Sequence, residues 1–162
     1  MSRFGVFFIG LFFVMSSSSS EGPAQWVVGS YEVDGLRVVM KVIEELPAED
    51  LRDKHRWLTV ITWEYDVSEN GGMPVEEMLS QMMRLEGAID EMEARGTCFQ
   101  VYSRTGNGIK ELTYYTGSRD GFLEDLNSTL ADHPRYPIKI EFFEDPGWED
   151  LQNVHKHYLR KE

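Results

Sequence analysis

The chain has one cysteine and only 16 Lys and Arg against 28 Asp and Glu. With no second thiol, Cys98 cannot close an internal disulfide, and no Cys or His cluster has structural-zinc spacing, so the core alone must hold the fold. Cys98 itself reads as a small strand residue in or near that core. The shortage of basic residues leaves a formal net charge of -12. Polyanions are bound by Lys and Arg that displace their counterions, so nucleic acid and anionic membrane surfaces are excluded as expected partners. Catalytic signatures are missing too: there is no Gly-x-Ser-x-Gly elbow, no phosphate-binding glycine loop and no His-Glu-x-x-His pair. Of four histidines, His55 and His133 lie in polar connections and His155 and His157 in the tail, which places no general base beside a Ser or Cys. No catalytic residue, metal or cofactor is therefore expected.

What is present suits one globular domain. In 162 residues, 41% are hydrophobic and 12% aromatic, enough for a sizeable core. Residues 1–20 differ from the rest: Arg3, the apolar run Phe4 to Met15, then five serines. The run is too short to span a bilayer and has the form of a secretory signal peptide, which implies a secreted or periplasmic protein. The alternative is translation from Met15, which implies a cytoplasmic one. Residues 21–162 then form the domain, with no stable membrane insertion once the leader is removed.

The clearest boundary is Asn70-Gly71-Gly72-Met73-Pro74, where two glycines supply a turn and Pro74 suits a first helical position. Val75, Met78, Met82, Leu85, Ile89 and Met92 then recur in three- and four-residue steps, predicting a long amphipathic helix that Gly96 ends. Met83 is read with Met78, Met82 and Met92 as core and gap filler. Strands are predicted over Gln25 to Val33 and Leu36 to Ile43 around Asp34-Gly35, and over Trp57 to Asp66. Two more, Thr97 to Arg104 and Ile109 to Thr116, flank an Asn107-Gly108 turn, and a last strand runs from Tyr136 to Phe143. A second helix covers Phe122 to Ala131 with Leu123, Leu126 and Leu130 inward, and a short one covers Trp148 to about Leu159. From Trp57 to Phe143 the order is strand, helix, strand, strand, helix, strand. That predicts an α+β, ferredoxin-like antiparallel sheet with two main helices on one face, extended at an edge by the N-terminal hairpin.

Such a sheet has a second face. With Phe99, Val101, Leu112 and Tyr114 beneath the helices, Gln100, Tyr102, Arg104, Glu111, Thr113 and Tyr115 face away. Of these, Tyr102, Arg104, Glu111, Thr113 and Tyr115 form the candidate binding face, open to a protein partner or a ligand. Two readings follow. One is a non-enzymatic protein-binding or regulatory module. The other is a small-molecule enzyme or hydrolase with Arg104 as anion clamp and Glu111 as acid or base. An Arg neighbour lowers a carboxylate's pKa, which works against the acid role. His155 and His157, two apart on a helix, diverge and make no chelate, and both read as exposed tail residues. Asp145-Pro146-Gly147-Trp148 reads as a turn and helix start.

Trp26 with Asp34-Gly35, Trp63-Glu64-Tyr65, Gly72-Met73-Pro74, Leu85-Glu86, Thr105 with Gly108 and Glu111, Tyr114-Tyr115, Leu126-Asn127, Tyr136-Pro137-Ile138 and Asp145-Pro146 with Trp148 occur in that order. Together they resemble the bacterial family called domain of unknown function six-nine-five, over about Gln25 to Leu159. The resemblance implies no activity or catalytic residues, since the family has none established. Some relatives are fused to a domain similar to a protein regulator of ribonuclease E, which implies regulation by protein binding. This chain has no room for that second domain.

Overall fold

The computed structural model describes residues 24–159. The expected leader, residues 1–20, lies outside them. Two strands, β1 (Trp26–Val33) and β2 (Leu36–Ile43), form the first hairpin. Asp34 and Gly35 between them both take positive φ, 52° and 77°, as a two-residue hairpin turn requires. Helix α1 (Glu49–Lys54) leads to β3 (Trp57–Glu64), and a single 3-10 turn (Asn70–Gly72) precedes α2 (Glu76–Ala94). Then follow β4 (Cys98–Gly106), β5 (Ile109–Thr116), α3 (Arg119–Thr129), β6 (Ile138–Glu144) and α4 (Glu149–Tyr158). All six strands pair antiparallel in one sheet, in the order β1-β2-β4-β5-β3-β6. The N-terminal hairpin joins through β2 against β4.

Helix α2 buries Met82, Leu85, Ala88, Ile89 and Met92, four of them from the predicted stripe. Pro74 is not its first residue: Val75 is the N-cap and the helix starts at Glu76. Met83 is not core either, being 63% exposed on the outer face. At the other end Gly96 takes φ 83°, with its N–H on Glu93 O and the Thr97 N–H on Met92 O, the paired bonds of a glycine-terminated helix. Helix α3 begins three residues before Phe122, because the Ser118 hydroxyl accepts the Gly121 N–H at 3.0 Å and caps it. Its inner residues are Phe122 and Leu126, with Leu123 exposed. Both helices pack on Ile61, Trp63, Leu112 and Tyr114, on one face of the sheet.

The other face is not open. It is covered by α4, whose Leu151 and Val154, with Trp148 before it, pack fully buried on Val27, Met40, Leu58, Val60, Tyr102 and Tyr115. The structure is therefore helices, sheet, helix, and its two apolar cores lie on opposite sides of the sheet. Among the described residues no helix is long and apolar enough to cross a membrane.

One irregularity decides which β4 side chain meets which core. The β4–β5 register shifts between Gln100 and Tyr102, so Val101 is an extra, bulged residue. Before the bulge the faces are the reverse of those expected. Phe99, opposite Tyr115, lies on the α4 side, and Gln100, opposite Tyr114, lies on the α2 side. After it, Tyr102 and Arg104 fall on the α4 side as expected.

Candidate functional site

The five residues of the candidate face do come together. Thr113 pairs with Tyr102 and Glu111 with Arg104 across β4 and β5, and Tyr115 continues the β5 row. Their setting corrects the expectation of an open surface. Tyr102, Thr113 and Tyr115 are fully buried and Glu111 is 3% exposed. Only Arg104, with its side chain 27% exposed, reaches the rim.

The Tyr102 and Tyr115 hydroxyls are engaged with α4 and the turn before it, and Arg104 is engaged with Glu111. The Tyr102 hydroxyl donates to Asp150 Oδ2 at 2.7 Å, and the Tyr115 hydroxyl to Asp145 Oδ2 at 2.6 Å. Asp145 also accepts the N–H groups of Glu149 at 2.9 Å and Asp150 at 3.0 Å, so one carboxylate caps α4 and ties it to β5. Burial pushes the Tyr115 hydroxyl's pKa far up, and the Asp145 carboxylate it serves raises it further, so the proton stays on oxygen. A phenol in this state is a structural donor. It is a poor acid or base.

Arg104 Nη2 donates to Glu111 Oε2 at 2.9 Å. Burial alone would lower the guanidinium's pKa, but Glu111 and the Tyr31 hydroxyl beside it outweigh that and hold it above its usual value. The ring of Tyr158, in the last turn of α4, lies 5.3 Å from that of Tyr31. Burial first, and then the neighbouring Tyr31, raises the Tyr158 hydroxyl's pKa as well. The cluster Tyr31, Arg104, Glu111 and Tyr158 thus pins the C-terminal turn of α4 as Asp145 pins its start. A buried pair of this kind costs much to break and adds little over an apolar pair, and its value is in fixing where the helix lies.

The residue that reading by pattern understates most is Trp148. It precedes α4 with φ 55°, is fully buried, and stacks on Tyr115 with ring centroids 3.8 Å apart and planes 5° apart. Its Nε1–H donates to the His55 carbonyl at 2.8 Å. The signal was present as Asp-Pro-Gly-Trp, a turn ending in a large aromatic, but its partners lie far away in sequence. His155 is no exposed tail residue: it is half-buried, and its Nε2 donates to the Ile43 carbonyl at 2.7 Å. His157 bonds Asn153 O at 2.6 Å within α4, so the two histidines serve different partners. Among the described residues no group of His, Cys, Asp and Glu is placed to hold a metal ion. Burial pushes the Cys98 thiol well up, which keeps it protonated and unreactive.

No curated protein and no solved structure matches this chain. A family model does, over residues 24–153, and it takes in the sheet, the N-terminal cap of α4 and the candidate face. The chain belongs to the family of unknown function DUF695.

Proposed function

We propose that this protein is a non-enzymatic binding or regulatory module. One observation carries the reading: the titratable groups of the candidate face, Tyr102, Arg104, Glu111 and Tyr115, are committed to holding α4 and to one another, so their chemistry is spent on structure. What the molecule offers to solvent is a strongly acidic exterior, which selects partners and speeds encounter without supplying a reaction. The enzyme alternative, with Arg104 as clamp and Glu111 as acid or base, would need α4 to leave this face.

We infer also that β3-α2-β4-β5-α3-β6 is a split βαβ unit of ferredoxin-like type within a single domain, its four strands ordered β4-β5-β3-β6 and the β1–β2 hairpin an addition on the β4 side. Export through the apolar leader is the companion proposal. The intact mass of protein from its native host tests it, and a chain starting at Met15 or Ser16 would refute export.

A thermal-shift screen against metabolite classes, run beside size-exclusion chromatography with host extract, tests the binding reading. The expected result is no stabilisation by metabolites and a salt-sensitive shift of the protein into a complex of defined composition. Saturable stabilisation by one metabolite class, lost in Arg104→Ala, would overturn it in favour of the enzyme reading.

A further inference from the structure

We propose that β1 is a docking edge for an extended, basic segment of a partner protein, which adds to the sheet as a seventh strand. The proposal rests on the binding reading above and names the surface and the chemistry of the partner.

The two edges of the sheet are β1 and β6. Proteins blunt exposed edges with Pro, inserted charges or Lys, because an open row of N–H and C=O groups templates another strand. The β6 edge is treated in this way: Pro137 precedes it, and Lys139, with its side chain 69% exposed, and Glu141 lie within it. Strand β1 is not. Its eight residues, Trp-Val-Val-Gly-Ser-Tyr-Glu-Val, hold one charge, no Pro and no Lys, and Val28 is 52% exposed. Gly29 stands mid-strand, where the missing side chain lets a second backbone approach closely.

The geometry also says which backbone groups are on offer. The Glu44 N–H donates to Gln25 O at 2.8 Å, and the register that pairs Trp26 with Ile43 places Gln25 opposite Glu44. Hydrogen-bonded pairs alternate along an antiparallel ladder, so Val27, Gly29 and Tyr31 bond inward to β2. Trp26, Val28, Ser30 and Glu32 therefore turn their N–H and C=O groups to the outer edge, which no strand among the described residues covers. The strand that carries them is held rigid, with Lys41 Nζ 4.0 Å over the Trp26 ring at one end and Tyr31 packed on Tyr158 at the other. A pre-ordered edge costs the partner only its own ordering entropy.

Charge selects the occupant. Two copies of a chain carrying -12 repel, which argues against a second copy. Exposed Glu32 and Asp34 lie at one end of β1, and Glu44 and Glu45 at the other. Of the local bases, Lys41 is engaged with Trp26 and Arg37 stands opposite Glu32. The fitting segment alternates apolar residues, continuing the Val27 and Tyr31 face, with Lys or Arg on the Glu32 face.

The probe is a capped peptide of alternating Val and Lys, with a Val and Glu peptide of equal length as control. Fluorescence anisotropy is expected to show salt-sensitive binding of the Lys peptide alone, with slowed amide exchange at Val28, Ser30 and Glu32. Ser30→Pro removes one outward donor, and edge strands tolerate Pro where the N–H faces solvent. It should weaken binding by about ten-fold or more while the urea midpoint stays near wild type. If Ser30→Pro unfolds the chain, the Glu32→Gln, Glu44→Gln double variant tests the charge part, with the same protection pattern and weaker binding expected. Binding unchanged in whichever variant folds, or no protection along β1, overturns the assignment. So does a sedimenting dimer with those amides already protected, which would give the edge to a second copy. A partner retained in the extract assay while β1 stays unprotected leaves the binding reading standing without this edge. Saturable stabilisation by one metabolite class, lost in Arg104→Ala, removes that reading whatever β1 does.

Discussion

The rings of Tyr115 and Trp148 stack face to face, 3.8 Å between centroids and 5° between planes, and join the central sheet to the turn that launches α4. Both side chains are fully buried, and each adds a polar bond at its far end: Tyr115 to Asp145 and Trp148 to the His55 carbonyl. One contact thus brings together β5, the α1–β3 connection and the C-terminal helix.

Trp148→Ala should remove the stack, the Nε1–H bond and the largest side chain of that core, and cost about 3–5 kcal/mol. Tyr115→Phe keeps the ring and loses only the hydroxyl bond to a carboxylate, at about 1–3 kcal/mol. Equilibrium urea unfolding separates them. Equal midpoints would mean the stack holds nothing the hydroxyl does not.

On the other face, Leu85 is 2% exposed beneath α2, while Arg84 next to it points to solvent. Leu85→Ala should cost about 2–5 kcal/mol, and Arg84→Ala well under about 1 kcal/mol. The difference in urea midpoints reads how firmly α2 sits on the sheet.

Two glycines should respond in opposite directions to the same change. A Cβ on Gly106, which has φ 142°, would lie 2.1 Å from the Arg37 carbonyl oxygen and 2.7 Å from Val38 Cα, both backbone, so Gly106→Ala must force β2 and β4 apart. A Cβ on Gly87, in the exposed face of α2, meets nothing within 4 Å. Gly87→Ala should stabilise by about 0.5–1 kcal/mol, because the unfolded chain loses freedom and the helix gains a better former. Thermal melts of the two variants beside wild type check the signs.

Two carboxylates should tilt the pH dependence in opposite senses. The Thr97 hydroxyl, first, and then Arg95 hold the Asp125 carboxyl below its usual range. Its stabilisation is complete above the unfolded-state pKa of about 4 and is lost as pH falls through the lowered folded value. Asp125→Asn should flatten the acid-side decline. Glu93 is shifted the other way by burial, although it accepts the Gln100 N–H at 2.8 Å. Its charged form opposes folding, so stability should rise as pH falls through its raised pKa. Glu93→Gln, which keeps an acceptor for that N–H, should remove this rise and stand above wild type near neutral pH. Urea midpoints from about pH 7 to about pH 3 give both slopes.

The local elements were legible because their causes are local. Asp34-Gly35 and Asn107-Gly108 take the positive φ values their composition allows, the α2 stripe follows its period, and Gly96 ends that helix with its own N–H. The grouping of Tyr102, Arg104, Glu111, Thr113 and Tyr115 was also readable, since strand alternation puts them on one face. Tertiary structure alone decided what covers that face. The partners of Trp148 and Asp145 stand 93 and 30 residues away in sequence, and no periodicity within α4 says that its apolar side closes on the sheet. The bulge at Val101 likewise arises from how β4 meets β5, and one extra residue was enough to exchange the faces of Phe99 and Gln100. Turns and periods are set by neighbours a few residues apart, whereas burial is set by whichever distant surface arrives to exclude water.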